Sequence, residues 1–248
     1  MQADVIFDLP LQTLLIVWLG AFVGGFASGA AGFAFGIVGS AIWLHAIDPL
    51  HVTMLIVAGG TTIQCGTIWP LRRSIKWNRV WPFLVPGLVG IPVGVALLVY
   101  VDARALKIAL GVFLAIYGTY TLIAPTLPKV SGGGRVADGA IGFIGGMLGG
   151  LSGLNGVIPA IWCQLRGWSK EEARAIYQPF ILATHIGILA TIGVVALDRQ
   201  GIILFLVALP ALLAGALIGW MVYGRLDDRR FRQALAILLV ASGVLLVV

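Results

Sequence analysis

The sequence predicts an all-α polytopic membrane protein made of two inverted repeats, each with three crossing helices and one broken, re-entrant helix pair. Three observations lead there. Hydrophobic residues make up 60% of the 248-residue chain and charged residues 10%, with a mean hydropathy of +1.04, more apolar surface than a water-soluble domain of this size can bury. Charge-free stretches close to the roughly 20 residues needed to cross the hydrocarbon layer recur from end to end. The heptapeptide FASGAAG at 26–32 returns as GLSGLNG at 150–156, half a chain later.

Eight apolar segments follow in order: 9–47, 52–71, 80–101, 105–127, 139–165, 175–197, 201–224 and 233–248. The loops between them leave no room for a soluble domain. Segment 1 is long enough for two helices. Segment 5 is too short for two full crossings at about 1.5 Å per residue, so it reads as a re-entrant or half-length pair. The remaining segments read as single crossings. Asp102 and Asp227 open segments 4 and 8 at matched places, as N-caps do. Trp69, Trp77, Trp81, Trp162 and Trp168 fall at segment ends, where interfacial anchoring is expected. Asp4 and Asp8 precede the first basic residue, Arg72, so no cleaved signal peptide is expected. Cys65 and Cys163 lack ligand-spaced partners and read as small buried hydrophobes. No cofactor or metal is expected.

The duplication extends beyond the heptapeptide. Pro86 matches Pro210, Gly90 matches Gly215, Gly94 matches Gly219, Asp102 matches Asp227 and Gly118 matches Gly243, all at an offset of 124 or 125. The chain therefore divides into an N-terminal repeat, 1–127, a linker, 128–138, and a C-terminal repeat, 139–248. Loop charge then selects a topology. If every segment crosses once, Lys and Arg divide 9 to 7 between the two faces; if segments 1 and 5 each enter and leave on one side, they divide 13 to 3. The positive-inside rule selects the second arrangement, which inverts the repeats and places both termini outside. The basic residues report orientation, and no nucleic-acid partner is expected.

A glycine-interrupted apolar segment at corresponding places in two halves points to a membrane transporter's substrate site. Gly29, Gly32, Gly153 and Gly156 permit a tight reversal and close backbone approach. The helices resuming after each motif offer unpaired N–H groups and a partial positive charge, an anion cradle with no Lys or Arg in the apolar segments. Ser28, Ser152 and Asn155 add donors or caps there. Gly20, Gly24, Gly36, Gly90, Gly94, Gly215 and Gly219 read instead as close-packing positions. Segments 2 and 6 carry Thr61, Thr62 and Gln64 in one copy, and Gln178, Thr184 and His185 in the other. Polar side chains in hydrocarbon face the protein interior and mark a pathway, or serve as interhelical glue. His185 is the single ionisable group read as deep inside an apolar segment, able to pair with an anion, carry a coupled proton or remain a neutral hydrogen-bonding residue.

The Ser-Gly-x-x-Gly pair at 28–32 and 152–156, with the Pro86–Gly94 and Pro210–Gly219 runs, resembles the TauE/SafE-type sulfite exporters, also called toluene-sulfonate uptake permeases, over nearly the whole chain. The resemblance implies transport of a small anion such as sulfite, sulfoacetate or another organosulfonate across a bacterial inner membrane, driven by an ion gradient through a coupled proton or sodium ion. The chain departs from glycine-richer members at Phe33-Ala34-Phe35-Gly36 and Val157-Ile158-Pro159, where Phe33 and Phe35 would narrow the site. The expected substrate-binding set is Ser28, Gly29, Gly32, Thr61, Gln64, Ser152, Gly153, Asn155, Gly156 and His185. Two alternatives stay open. Gly150-Leu151-Ser152-Gly153 matches the GxSG of rhomboid-type intramembrane proteases, with His185 on the next segment as a possible base, but Ser28-Gly29 recurs beside Gln64, which cannot act as one. A non-transporting membrane scaffold is the other.

Overall fold

The computed structural model describes residues 5–6, 9–44, 46–97, 100, 102–124, 129–196 and 198–247. Asp4, Asp8 and residues 125–128 of the expected repeat end and linker lie outside the described residues. Two short antiparallel strands, β1 (Val5–Ile6) and β2 (Leu9–Pro10), precede the helices. These are α1 (Leu11–Ala31), α2 (Phe35–Trp43), α3 (Pro49–Leu71), α4 (Trp77–Leu97), α5 (Ala103–Ile123), α6 (Gly134–Ser152), α7 (Val157–Leu165), α8 (Lys170–Ala196), α9 (Arg199–Arg225) and α10 (Asp228–Val247). Among the described residues, four helices are long and apolar enough to cross a bilayer: α1, α3 from Leu50, α4 and α9. The chain is an integral membrane protein.

Carboxylates start four of the helices, two of them, Asp102 and Asp227, as the sequence predicts. Asp102 accepts from the Ala105 amide and Asp227 from the Arg230 amide, each at 2.7 Å. Asp48 and Asp198 cap α3 and α9 in the same way, through Leu50 at 3.0 Å and Gly201 at 2.7 Å.

Segments 1 and 5 both break and turn back. Gly32 at φ +89° ends α1 and Gly153 at φ +73° ends α6, conformations that disfavour any side chain with a Cβ. The short helix then folds along the long one. A Cβ on Gly24 would lie 3.1 Å from the Phe35 ring, and Trp43 Nε1 donates to Val17 O at 3.2 Å, so α2 runs antiparallel to α1. In the second copy a Cβ on Gly145 would lie 3.0 Å from Pro159, and Trp162 Nε1 donates to Asp138 at 2.7 Å. Nine residues span only about 13 Å, so α2 and α7 are half-length helices. Segment 1 therefore holds one full and one half helix, not two full ones.

Around these hairpins α1 packs along α9, α4 along α6, α5 along α10 and α3 along α8. The first two seams bring backbone against backbone: a Cβ would fall 2.1 Å from Phe26 O at Gly219 and 2.0 Å from Met147 O at Gly94, the close packing that small residues give membrane helices. Large exposed apolar side chains such as Leu15, Val85, Ile116, Leu206 and Ile237 lie on α1, α4, α5, α9 and α10, leaving α3 and α8 toward the middle. Trp69, Trp77 and Trp81 are at least half exposed. Cys163 is buried, but Cys65 is exposed, contrary to the expectation of two buried cysteines, because the last turns of α3 present an uncovered face.

The basic loops meet at one end. Lys76 and Arg79 lie 3.5 and 3.4 Å from Glu172, Arg166 donates to Val130 O and Gly132 O at 3.2 Å, and Lys170 donates to Leu226 O. This gathering is the one that yields the 13 to 3 division of loop charge. At the other end His51 sits between Asp48 and Asp198, with its Nε2 3.0 Å from Asp198 Oδ1.

Candidate functional site

The two helix breaks meet. A Cβ on Gly156 would lie 2.8 Å from the Phe33 Cβ, and one on Gly36 would lie 3.6 Å from Gly153 O. Ser28, Asn155, Gln64, Thr184 and His185 are all buried. Neither short helix has a side-chain cap, since Ala34 and Gly156 stand at the N-cap positions of α2 and α7. Both therefore present first-turn amides without side-chain acceptors near the junction.

At the first break, side chains from α8 and α3 hold the carbonyls that end α1. Arg174 donates to Gly29 O at 2.9 Å, with Ala30 O and Ser28 O at 3.4 and 3.5 Å. Tyr177 Oη donates to Ala31 O at 2.6 Å and Gln64 Nε2 to Gly32 O at 2.7 Å. The Gln178 amide oxygen accepts from Arg174 at 3.1 and 3.2 Å. The Tyr223 and Trp220 rings pack on the guanidinium at 4.0 and 4.9 Å. Arg174 is 0% exposed, and among the described residues no carboxylate forms an ion pair with it: Glu171 lies against Lys170 and Glu172 against Lys76 and Arg79.

Arg174 stands one residue before segment 6 and is nevertheless fully buried, so the interior holds an ionisable group besides His185. Helix α8 begins at Lys170, five residues before segment 6, so a residue counted as loop lies inside a helix. Arg174, Tyr177 and Gln178 are spaced i, i+3, i+4 and share a face. Carrying that pattern back from the apolar segment into the loop was the signal that would have found them. Asp138 is buried too, but it is engaged with Trp162 and lies 3.8 Å from Arg166.

The second break has fewer ties. Asn155 Nδ2 donates to Thr184 Oγ1 at 2.6 Å and to Ile181 O at 3.3 Å. Both ring nitrogens of His185 are buried without a hydrogen-bond partner. The ring lies against α3, where a Cβ on Gly60 would fall 2.5 Å from its Cε1. Ser152 Oγ donates to Leu148 O at 3.0 Å, so the Ser152–His185 dyad that a protease needs is not formed.

Not every expected residue faces the junction. Thr61 and Thr62 donate to Val57 O and Ala58 O within α3, at 2.7 and 2.9 Å. Gly29 lies in the α1–α9 seam, where a Cβ would meet Ala216 O at 2.2 Å. Phe33 stands between the breaks, edge-on to Tyr177 at 5.9 Å, whereas Phe35 packs against Trp43 at 5.6 Å.

The junction thus combines one buried guanidinium, one unpartnered imidazole and two uncapped helix N-termini, with no carboxylate paired to either basic group among the described residues. Such a field favours an anion. The family model described as Sulfite exporter TauE/SafE matches residues 17–246. No curated protein and no solved structure matches the chain.

Proposed function

The chain belongs to the TauE/SafE sulfite exporter family, and on that premise we propose that it is a secondary transporter for a small sulfur oxyanion or organosulfonate, bound where the two helix breaks meet. The observation that carries this is the pair of basic side chains at that junction: among the described residues Arg174 is buried without a carboxylate, and His185 is buried with neither ring nitrogen in a close hydrogen bond. The Arg174 charge is met there by carbonyls and ring faces and not by a carboxylate, so an entering anion would be the first full counter-charge beside it.

Gly32, Gly153, Asn155, Gly156, Ser28 and Ser152 wall the site, with Gln64, Thr61 and Gly29 supporting it. His185 takes the proton that travels with the anion. The halves 1–127 and 139–248 act as inverted repeats, one rocking on the other. Ion pairs at both ends support this mode of access: His51–Asp198 joins α3 to α9, and Glu172 with Lys76 and Arg79 joins α8 to α4. Opening either end requires its own bridge to part. The basic end faces the cytoplasm of a bacterial inner membrane and the termini lie in the periplasm.

A thermal-unfolding screen of the purified protein against sulfite, thiosulfate, sulfoacetate, taurine and simple carboxylates tests the substrate class. A sulfur anion should stabilise the fold, by about 2.7 kcal/mol at a hundred times its Kd. Stabilisation by carboxylates alone would overturn the class, and failure of every anion to bind or cross in proteoliposomes would overturn transport.

A further inference from the structure

At the basic end, away from the junction, a cleft of about 390 Å³ opens between the starts of α4 and α6 and the loop after α7. Its walls include Asn78, Arg79, Arg135, Asp138, Arg166 and Trp168. Three arginines line it with one carboxylate, Asp138, which accepts from Trp162 at 2.7 Å and lies 3.8 Å from Arg166. Arg79 is met by Glu172 at 3.4 Å, so Arg135 carries the surplus charge. Arg166 is fixed by the Val130 and Gly132 carbonyls, and it shares the Trp168 ring with Arg79, their guanidinium carbons 5.7 and 5.5 Å from its centroid. Arg135 is exposed and has no ion-pair partner among the described residues. The cleft is preorganised and carries surplus positive charge, which suits a phosphate group.

The surroundings distinguish a lipid from a soluble phosphate. Asn78 and Pro82 line the cleft on one face of α4, and the same face continues down the helix through Val85 and Val89, which are 54% and 58% exposed. Trp77 and Trp81, in the same first turns of α4, are 50% and 53% exposed, the signature of the membrane–water boundary. A charged cleft at interface depth opening onto an apolar helix face matches a molecule with a phosphate head and acyl tails. We propose that this cleft binds the headgroup of an anionic glycerophospholipid, with its acyl chains along α4. Binding here needs neither helix break and does not depend on what the junction transports.

Lipid titration of the detergent-purified protein by native mass spectrometry tests the site, comparing dioleoylphosphatidylglycerol with dioleoylphosphatidylcholine. The phosphatidylglycerol should bind more tightly, and Arg135→Gln and Arg79→Gln should each weaken it about fivefold, the equivalent of about 1 kcal/mol per basic residue. Arg104→Gln, at the opposite end, should leave it unchanged. Arg135→Gln breaks no bond within the fold, so a loss of binding there is not a loss of structure. Equal affinity for the two lipids, or an unchanged affinity in both cleft variants, would overturn the proposal. If glycerol 1-phosphate displaces phosphatidylglycerol at equal concentration, the headgroup alone accounts for binding, and the site belongs to a soluble phosphate ester instead.

Discussion

The two helix breaks share a backbone plan and differ in how their polar groups are used. At the first, Arg174, Tyr177 and Gln64 reach across to hold four successive carbonyls and the one after them, from Ser28 to Gly32. At the second, Asn155 ties the turn to α8 through Thr184 and Ile181, while His185 keeps both ring nitrogens free. The two breaks share a geometry and differ in chemistry: one is braced by a fixed cation, the other carries a histidine whose ring nitrogens make no close hydrogen bond among the described residues.

Removing the brace should have the largest effect. Arg174→Met leaves the α1 carbonyls and Gln178 unpaired and deletes the fixed charge. It should cost about 3 kcal/mol of stability and lower sulfite flux in proteoliposomes by about a hundredfold or more. Arg174→Lys, which keeps the charge but not the fork, should recover part of the stability and less of the flux. Wild-type flux in a folded Arg174→Met protein would remove Arg174 from the first break's role.

Crowding the junction comes next. A Cβ at position 156 would lie 2.5 Å from Ile181 Cδ1 and 2.8 Å from Phe33 Cβ, so Gly156→Ala should destabilise by about 1–3 kcal/mol in thermal unfolding. Gly66→Ala, with nothing within 4 Å of its Cβ, should be neutral or stabilising. Ser152→Leu and Gly156→Leu should lower flux further. If both fold and transport as wild type does, the junction is not the path.

The end bridges should matter least to stability. The Gly201 amide, then His51, holds the Asp198 carboxyl below its usual range; burial opposes the same shift at Asp48, but the His51 hydrogen bond prevails. Folded values depressed in this way mean that the contribution is complete above the ordinary carboxylate pKa and disappears as pH falls through the lower folded values. Asp198→Asn should therefore lower Tm slightly at pH 6, with the gap from wild type closing only below about pH 4. A gap that instead closes between pH 6 and 5 would assign the effect to another group.

Much of this was legible from residues alone. The breaks were, because Gly32 and Gly153 occupy positive φ and stand where an apolar run cannot otherwise reverse. Hairpin topology was, because loop arginines are counted directly from the chain. Arg174 was not: hydropathy assigns a charged residue to a loop, and what makes burial tolerable is a set of carbonyls 144–146 residues away. Nor is the Thr61 hydrogen bond to Val57 O visible in the residue type, since a hydroxyl in a helix can satisfy itself on the carbonyl four residues back. Asp138 escaped notice because its partners, Trp162 and Arg166, lie across the second hairpin.

His185 offers the most direct test, because among the described residues its ring nitrogens make no close hydrogen bond and the Gly153 backbone is the one polar group it interacts with. Binding of the anion that most stabilises the wild type should be measured by calorimetry in wild-type and His185→Phe proteins of matched Tm. The junction account predicts at least about a tenfold weaker Kd in the variant, the loss of one charge-assisted hydrogen bond. An unchanged Kd would contradict it and place the anion elsewhere.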